Sequence, residues 1–409
     1  MAPGISRRAF CLSAAAPLAR PQAAPAARAI TRGPRFHWFG YYDKLEFDPA
    51  GRYVLANQAD FESRSPGPDD VIRVGMVDLE DHDRWIELGE TRAWNWQQGC
   101  MLQWLPGSKT EVIWNDRQEG RFVAHILDVR TRKRRTLRAP IYALSPDARW
   151  AIYPDFRRLN DCRPGYGYAG LPDPNFEKPI PDDAGLWRLD LGAGTSTLLV
   201  PFSEAAKVPH KRNPPGPGAK HWFNHLLYNT DGTRFIFLHR WRAPQDKTFS
   251  TRMFTASADG RDLYVLDPWG DTSHFVWRDA RHVLAWAWHP SLQNKFYLYE
   301  DRTENVAAAG GDVMTVNGHC TYLPGNRWIL NDTYPDTNRM QNLYLYRVES
   351  GTRVALGSFP APRGYQGEWR CDLHPRSSPD GRKVVIDSAH AGGRQMYLVD
   401  ISGAVARTY

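Results

Sequence analysis

The chain has 409 residues, with 52 Lys and Arg against 45 Asp and Glu, a net charge of +7 and 12% aromatic residues. Its 16 Trp, 33 Gly and 31 Pro point to many short strands and turns. No apolar run approaches the ~20 residues a membrane span needs, and no basic run is dense enough for nucleic acid. Both of those classes are excluded.

The first thirty residues read as an address. Ser6, Arg7, Arg8, Ala9 and Phe10, followed by an Ala-rich stretch, look like a twin-arginine export signal, and residues 25–29 offer small side chains where a signal peptidase would cut. The expected domain is therefore 31–409, periplasmic or extracellular. The segment holds Arg7, Arg8, Arg20 and Arg28 and no acid, so its removal takes the net charge from +7 to +3. Cys100, Cys162, Cys320 and Cys371 remain, without CxxC spacing. An exported compartment permits disulfides, and a zinc ribbon is excluded.

Along the rest of the chain one pattern recurs: a strand, a Pro/Asp/Gly turn and an apolar strand. Its copies are 47–55, 104–113, 144–152, 228–237, 277–284, 322–330 and 378–386. The turn residues set tight hairpins and the apolar residues a buried strand. A second pattern, at 75–79, 125–129, 186–191, 263–267, 345–348 and 397–401, with a weaker copy at 297–301, reads as third strands. Seven copies leave roughly 50 residues per unit, the size of a four-stranded propeller blade. The expected fold is all-β: a seven-bladed β-propeller. Pro/Gly-rich insertions at 161–183 and 213–219 read as loops over one face.

In such a ring the first strand of each blade lines the axis, and its start shares a face with the end of the second strand. Polar residues gather there in at least five blades. His225, His319 and His374 each precede the Asp or Gly of their turn by six residues, and His274 precedes Asp279 by five. Equivalent register points these imidazoles at the channel. His274, His319 and His374 make a ligand set for a divalent metal (manganese, calcium or zinc), with Cys371 as a soft fourth. A single inner-strand histidine is more often structural than ligating. Trp94, Trp96 and Trp104 read as core, and the Asp residues after Pro as turn chemistry.

The turn copies, above all the one that opens at His374, resemble TolB-like propellers. Among these the chain is similar to the propeller polysaccharide lyases: oligogalacturonate lyase, ulvan lyase and rhamnose–glucuronate lyase. Residues 37–44, 96–99 with 114–116, and Asn224 and His225 with 238–240 carry the resemblance. It implies β-elimination on a uronate: carboxylate neutralisation, removal of the C5 proton and expulsion of the O4 substituent. On that reading His239 is the base and His225 assists. Arg240 or Arg370 holds the carboxylate, and Tyr334 lies in the same set. Gln98, Asn115 and Tyr41 contact substrate, an acidic oligo- or polysaccharide taken by a monomer. The chain departs from oligogalacturonate lyase around Arg370, Asp372 and His374, where no Gln stands in the motif. A glycoside hydrolase, which needs paired carboxylates, and a non-catalytic binding propeller are the alternatives.

Overall fold

The computed structural model describes residues 25–406; the twin-arginine motif lies outside them. Seven four-stranded antiparallel sheets form the ring. Blade 1 is Phe36–Trp38, Tyr53–Ala59, Ile72–Asp78 and Arg84–Thr91. Blade 4 is Lys220–Tyr228, Arg234–Arg242, Ser250–Ser257 and Tyr264–Asp267. Each of the seven turn copies joins a first strand to a second, as the repeat predicts. One strand assignment changes: residues 263–267, expected as the third strand of blade 4, hold its fourth, because Ser250–Ser257 pairs with both neighbours.

The ring closes across the chain ends. Ala27–Ala29 pairs with Gln395–Asp400 and completes blade 7, whose other strands are Arg376–Ser377 and Lys383–Ser388. The stretch read as a cleavage region is therefore an edge strand of the propeller, which begins before residue 31.

The turns work as their composition suggests. Asp48 Oδ1 accepts the backbone N–H of Arg52 at 2.7 Å and of Tyr53 at 2.6 Å, which satisfies donors at a hairpin that has no ladder partner there. The seam of blades 1 and 2 is built on Trp38, Trp94, Trp96, Trp104 and Trp114, all at most 2% exposed. Truncating any of them should cost about 3–5 kcal/mol. The four cysteines among the described residues, Cys100, Cys162, Cys320 and Cys371, are free and buried.

The insertion after Trp150–Pro154, the second strand of blade 3, matters most for the site. A helix, Phe156–Cys162, leads into it, and Arg158 pins it down. That guanidinium donates to the His221, Asn175 and Pro179 carbonyls and to Asp173, at 2.7–3.1 Å. A Cβ at Gly167 would stand 2.2 Å from the Asn160 nitrogen, so only glycine lets the loop fold back against the helix. The flanking tyrosines, Tyr166 and Tyr168, are thereby buried.

Candidate active site

The shared register brings histidines to one end of the channel. His319 and His374 lie with ring centres 4.2 Å apart, and His274 stands 4.1 Å from His319. Met101, His225 and His374, each six residues before its turn Gly or Asp, all have positive φ, at 57°, 52° and 42°. Such backbone is strained for a side chain of this size and is typical of sites that must aim a group.

His319, Asp372 and His374 present ligand atoms within 4.8 Å of one another. Among the described residues this is the one cluster of three such groups. The Nε2 atoms of His319 and His374 are buried without partners. His319 Nδ1 faces both oxygens of Asp332, at 2.9 and 3.0 Å, an arrangement that fixes the tautomer and leaves Nε2 as the lone-pair donor. Burial pulls His274 and His374 well below the ordinary imidazole range, so both are neutral. Burial pulls on His319 too, but the Asp332 carboxylate outweighs it and raises that pKa. Two imidazoles and a carboxylate, with a second carboxylate behind, fit a divalent cation.

Cys371 is not part of this set. It neighbours Asp372 in sequence and its thiol lies among Arg394, Asp387 and Glu62, with burial pushing it to about 12. Asp372, two residues from His374, takes the position expected of the cysteine. His274 lies against the cluster, but its Nδ1 meets Asn317 Oδ1 at 3.0 Å and its Nε2 meets the Tyr334 hydroxyl at 3.4 Å. Tyr334 is half-buried beside His319 as well, with ring centres 5.6 Å apart.

Next to the cluster lies an aromatic and cationic group. Tyr41 stacks on His225 at 5.0 Å and meets His374 at 5.2 Å. Gln98 Nε2 donates to the Tyr142 hydroxyl at 2.7 Å and lies 3.3 Å from His225 Nδ1. Tyr166 packs edge-on against His225 at 5.5 Å. Arg370 donates to the Tyr166 hydroxyl at 2.8 Å and to Asp372 at 2.7 Å, so it couples this group to the histidine cluster. Arg163 sits over the Tyr166 ring at 4.3 Å. Burial alone would raise the Tyr166 phenol, but Arg370 and then Arg163 outweigh it and bring it down to about 7. Tyr166 was not legible as a site residue; only its place in an inserted loop marked the region.

Two expected site residues belong elsewhere. Asn115 donates to the Ile141 carbonyl at 2.7 Å and to Tyr168 at 3.0 Å, and accepts the Ile141 N–H at 2.7 Å. Its amide is spent joining blades 2 and 3. His239 follows strand parity: Arg240 turns toward Tyr166 and Tyr41, so His239 turns away. Its Nε2 meets His221 Nδ1 at 2.7 Å and its Nδ1 accepts from Arg252 at 3.1 Å. The partner of His239 is thus His221, not His225, and neither touches the channel cluster.

A seven-bladed propeller with a buried histidine–carboxylate cluster is the class of protein defined by this geometry. Among solved structures of the same fold, an oligogalacturonate lyase from Vibrio parahaemolyticus aligns at TM-score 0.64 and 13% identity, over 91% of this chain and 93% of that one. An oligogalacturonate lyase in complex with manganese aligns at TM-score 0.65 and 16% identity, over 94% and 96%. Likeness at these identities establishes the fold. No protein-family model matches the chain, and no curated protein matches it by sequence.

Proposed function

We propose that this protein is a lyase that cleaves a uronate-containing glycan by β-elimination. The observation that carries the reading is the joining of two halves through Arg370: the His319, Asp372 and His374 cluster, and a tyrosine held near neutrality. His319, Asp372 and His374 would hold a divalent cation, which would supply positive charge against the substrate carboxylate and so acidify the C5 proton. The known manganese complex of a similarly folded lyase supports this assignment. Tyr166, as phenolate, takes the C5 proton. The released electron pair forms the C4–C5 double bond, the C4–O4 bond breaks, and the proton passes to the departing oxygen. His225 and Tyr41 pack the sugar-facing side, and Gln98 orients His225. His239, expected as the base, is too far into the blade wall to serve.

A hydrolase is less well supported. Asp372 is engaged by Arg370 and Asp332 by His319, so these two carboxylates are not the free pair that glycoside hydrolysis uses. We place the enzyme outside the cytoplasm on the strength of Arg7 and Arg8 alone. The test is incubation with pectin-, ulvan- and gum-type uronates, with and without added manganese. Ultraviolet absorbance from a 4,5-unsaturated product is expected, and reducing sugar without it would sink the reading.

A further inference from the structure

We propose that a cavity on blade 1, remote in function from the channel cluster, is a second carbohydrate site that takes a neutral sugar unit. It shares no residue with the channel cluster and does not depend on the lyase reading.

The cavity holds about 420 Å³. Residues 30–35, which link the edge strand of blade 7 to the first strand of blade 1, form one side of it. His37, Gln58, Asp83 and Trp85 line the other. The volume is room for far more than one water, at ~30 Å³ each, and lies in the range of small-molecule sites.

Its polar floor has a fixed direction. His37 and Gln58 are each 4% exposed. Burial pulls His37 down to about 4, so the neutral ring has one donor and one acceptor. Gln395 Nε2 donates to the Arg35 carbonyl at 2.8 Å, which leaves Gln395 Oε1 to accept from His37 Nδ1 at 2.9 Å. His37 Nε2 then accepts from Gln58 Nε2 at 2.7 Å. The run of bonds ends at Gln58 Oε1, an acceptor with no donor. Trp85 Nε1 is a donor with no acceptor, and Asp83 Oδ1 a second acceptor with no donor. Each such buried atom costs about 1–3 kcal/mol while nothing satisfies it.

Trp85 supplies an apolar face beside these atoms. Its ring meets His37 edge-on at 5.5 Å. A Cβ at Gly75 would stand 2.3 Å from the indole, so glycine there lets the ring lie against the sheet. A sugar matches this set. Each hydroxyl both donates and accepts, so neighbouring hydroxyls can meet the indole N–H and the two oxygens, while the C–H face packs on the ring. Charge favours a neutral unit. Arg35 is paired with Asp60 and Arg28 with Asp83, and the orphaned carboxylate oxygen opposes an anion. Arg32 stands on the exposed rim, which makes a uronate the competing ligand.

The experiment is saturation-transfer NMR and titration of the full chain with methyl β-galactopyranoside, methyl α-rhamnopyranoside and methyl α-galactopyranosiduronate. Gly33→Phe adds a ring where a Cβ meets nothing within 4 Å and fills the cavity from its rim. Only binding that this variant removes is assigned to the cavity, which sets aside uronide held in the channel. At least one neutral glycoside should bind there, and more tightly than the uronide. Trp85→Phe keeps a ring but removes the orphaned N–H, so that binding should weaken about 3–10-fold while elimination is unchanged. Gly33→Phe alone decides if Trp85→Phe does not fold. No neutral glycoside bound by wild type, tighter binding of the uronide in the cavity, or neutral-sugar binding unchanged in either folded variant would overturn the proposal. Should wild type eliminate nothing, the lyase reading fails and these binding results still decide the cavity.

Discussion

Two histidine clusters lie within this propeller, and the charge beside each separates their roles. In the channel, His319 and His374 stand with Asp372, and Asp332 sits behind His319. In the wall of blade 4, His221 and His239 touch each other, with His210 near Trp241, and the charged neighbour is Arg252. A carboxylate beside an imidazole strengthens its lone pair toward a cation. A guanidinium occupies a lone pair and repels a cation. Arg252 also donates to the carbonyls of Val208, Pro209 and Ala205, so the wall cluster ties a loop to a strand. Similar residues at similar burial thus yield a candidate metal centre in one place and a structural rivet in the other.

The largest effect should come from breaking the channel cluster. His374→Ala removes a ligand whose Nε2 has no other partner. Elimination should fall by about 10³-fold or more, and metal analysis of the purified variant should show divalent cation lost from it. Full activity without bound metal would make the channel cluster as structural as the wall.

Tyr166→Phe tests the other half of the site. It keeps the ring packed between Arg163 and His225 but removes the base, so kcat should fall about 10²–10³-fold while bound metal is retained. The pH profile gives the sign. Tyr166 works deprotonated and its folded pKa is depressed to about 7, so kcat/KM should rise with pH through about 7 and then level. Arg370→Gln removes the largest charge that opposes burial and should move that limb to higher pH. A limb that stays in place would mean another group is the base.

Asp332→Asn sharpens the comparison, because it alters what stands behind His319 without removing any of the three cluster groups. Metal affinity should weaken about 10–100-fold, and saturating metal should restore most of kcat. A loss that metal cannot restore would show that Asp332 serves mainly through the backbone N–H groups of His319 and His374, which it also accepts at 2.6 and 3.2 Å.

What was legible in the sequence follows from periodicity. The seven turns gave the blades, and shared register accounts for His274, His319 and His374 lying ring to ring, with His225 joined to them through Tyr41. Register along a strand is a matter of counting, but facing is a matter of parity. His239 and Arg240 are adjacent, so only one can face the channel, and nothing local says which. The same two-residue period could have preferred Asp372 over Cys371, since Asp372 lies two residues from His374. Tyr166 was beyond reach for a different reason. Its partner Arg370 is 204 residues away, and the loop that carries Tyr166 has no repeat to count from. Asn115 looked like a channel amide at a strand end, but the Ile141 backbone claimed it.

The smallest catalytic effect belongs to the wall. His239→Gln should leave kcat/KM within about twofold while lowering stability by about 1–3 kcal/mol, because Arg252 Nε loses its acceptor inside the core. The pH dependence of that stability distinguishes a rivet from a catalyst. Burial holds His239 well below its ordinary value and His210 and His221 at about 4. Below pH 6.5 the unfolded chain therefore binds protons that the folded chain refuses. The stability these groups contribute is present above 6.5 and is lost as pH falls toward 4. Removing one of the three should make the acid limb of a urea-denaturation series shallower by up to ~1.4 kcal/mol per pH unit. An unchanged limb, with activity lost instead, would move His239 out of the wall's accounting and back beside the substrate.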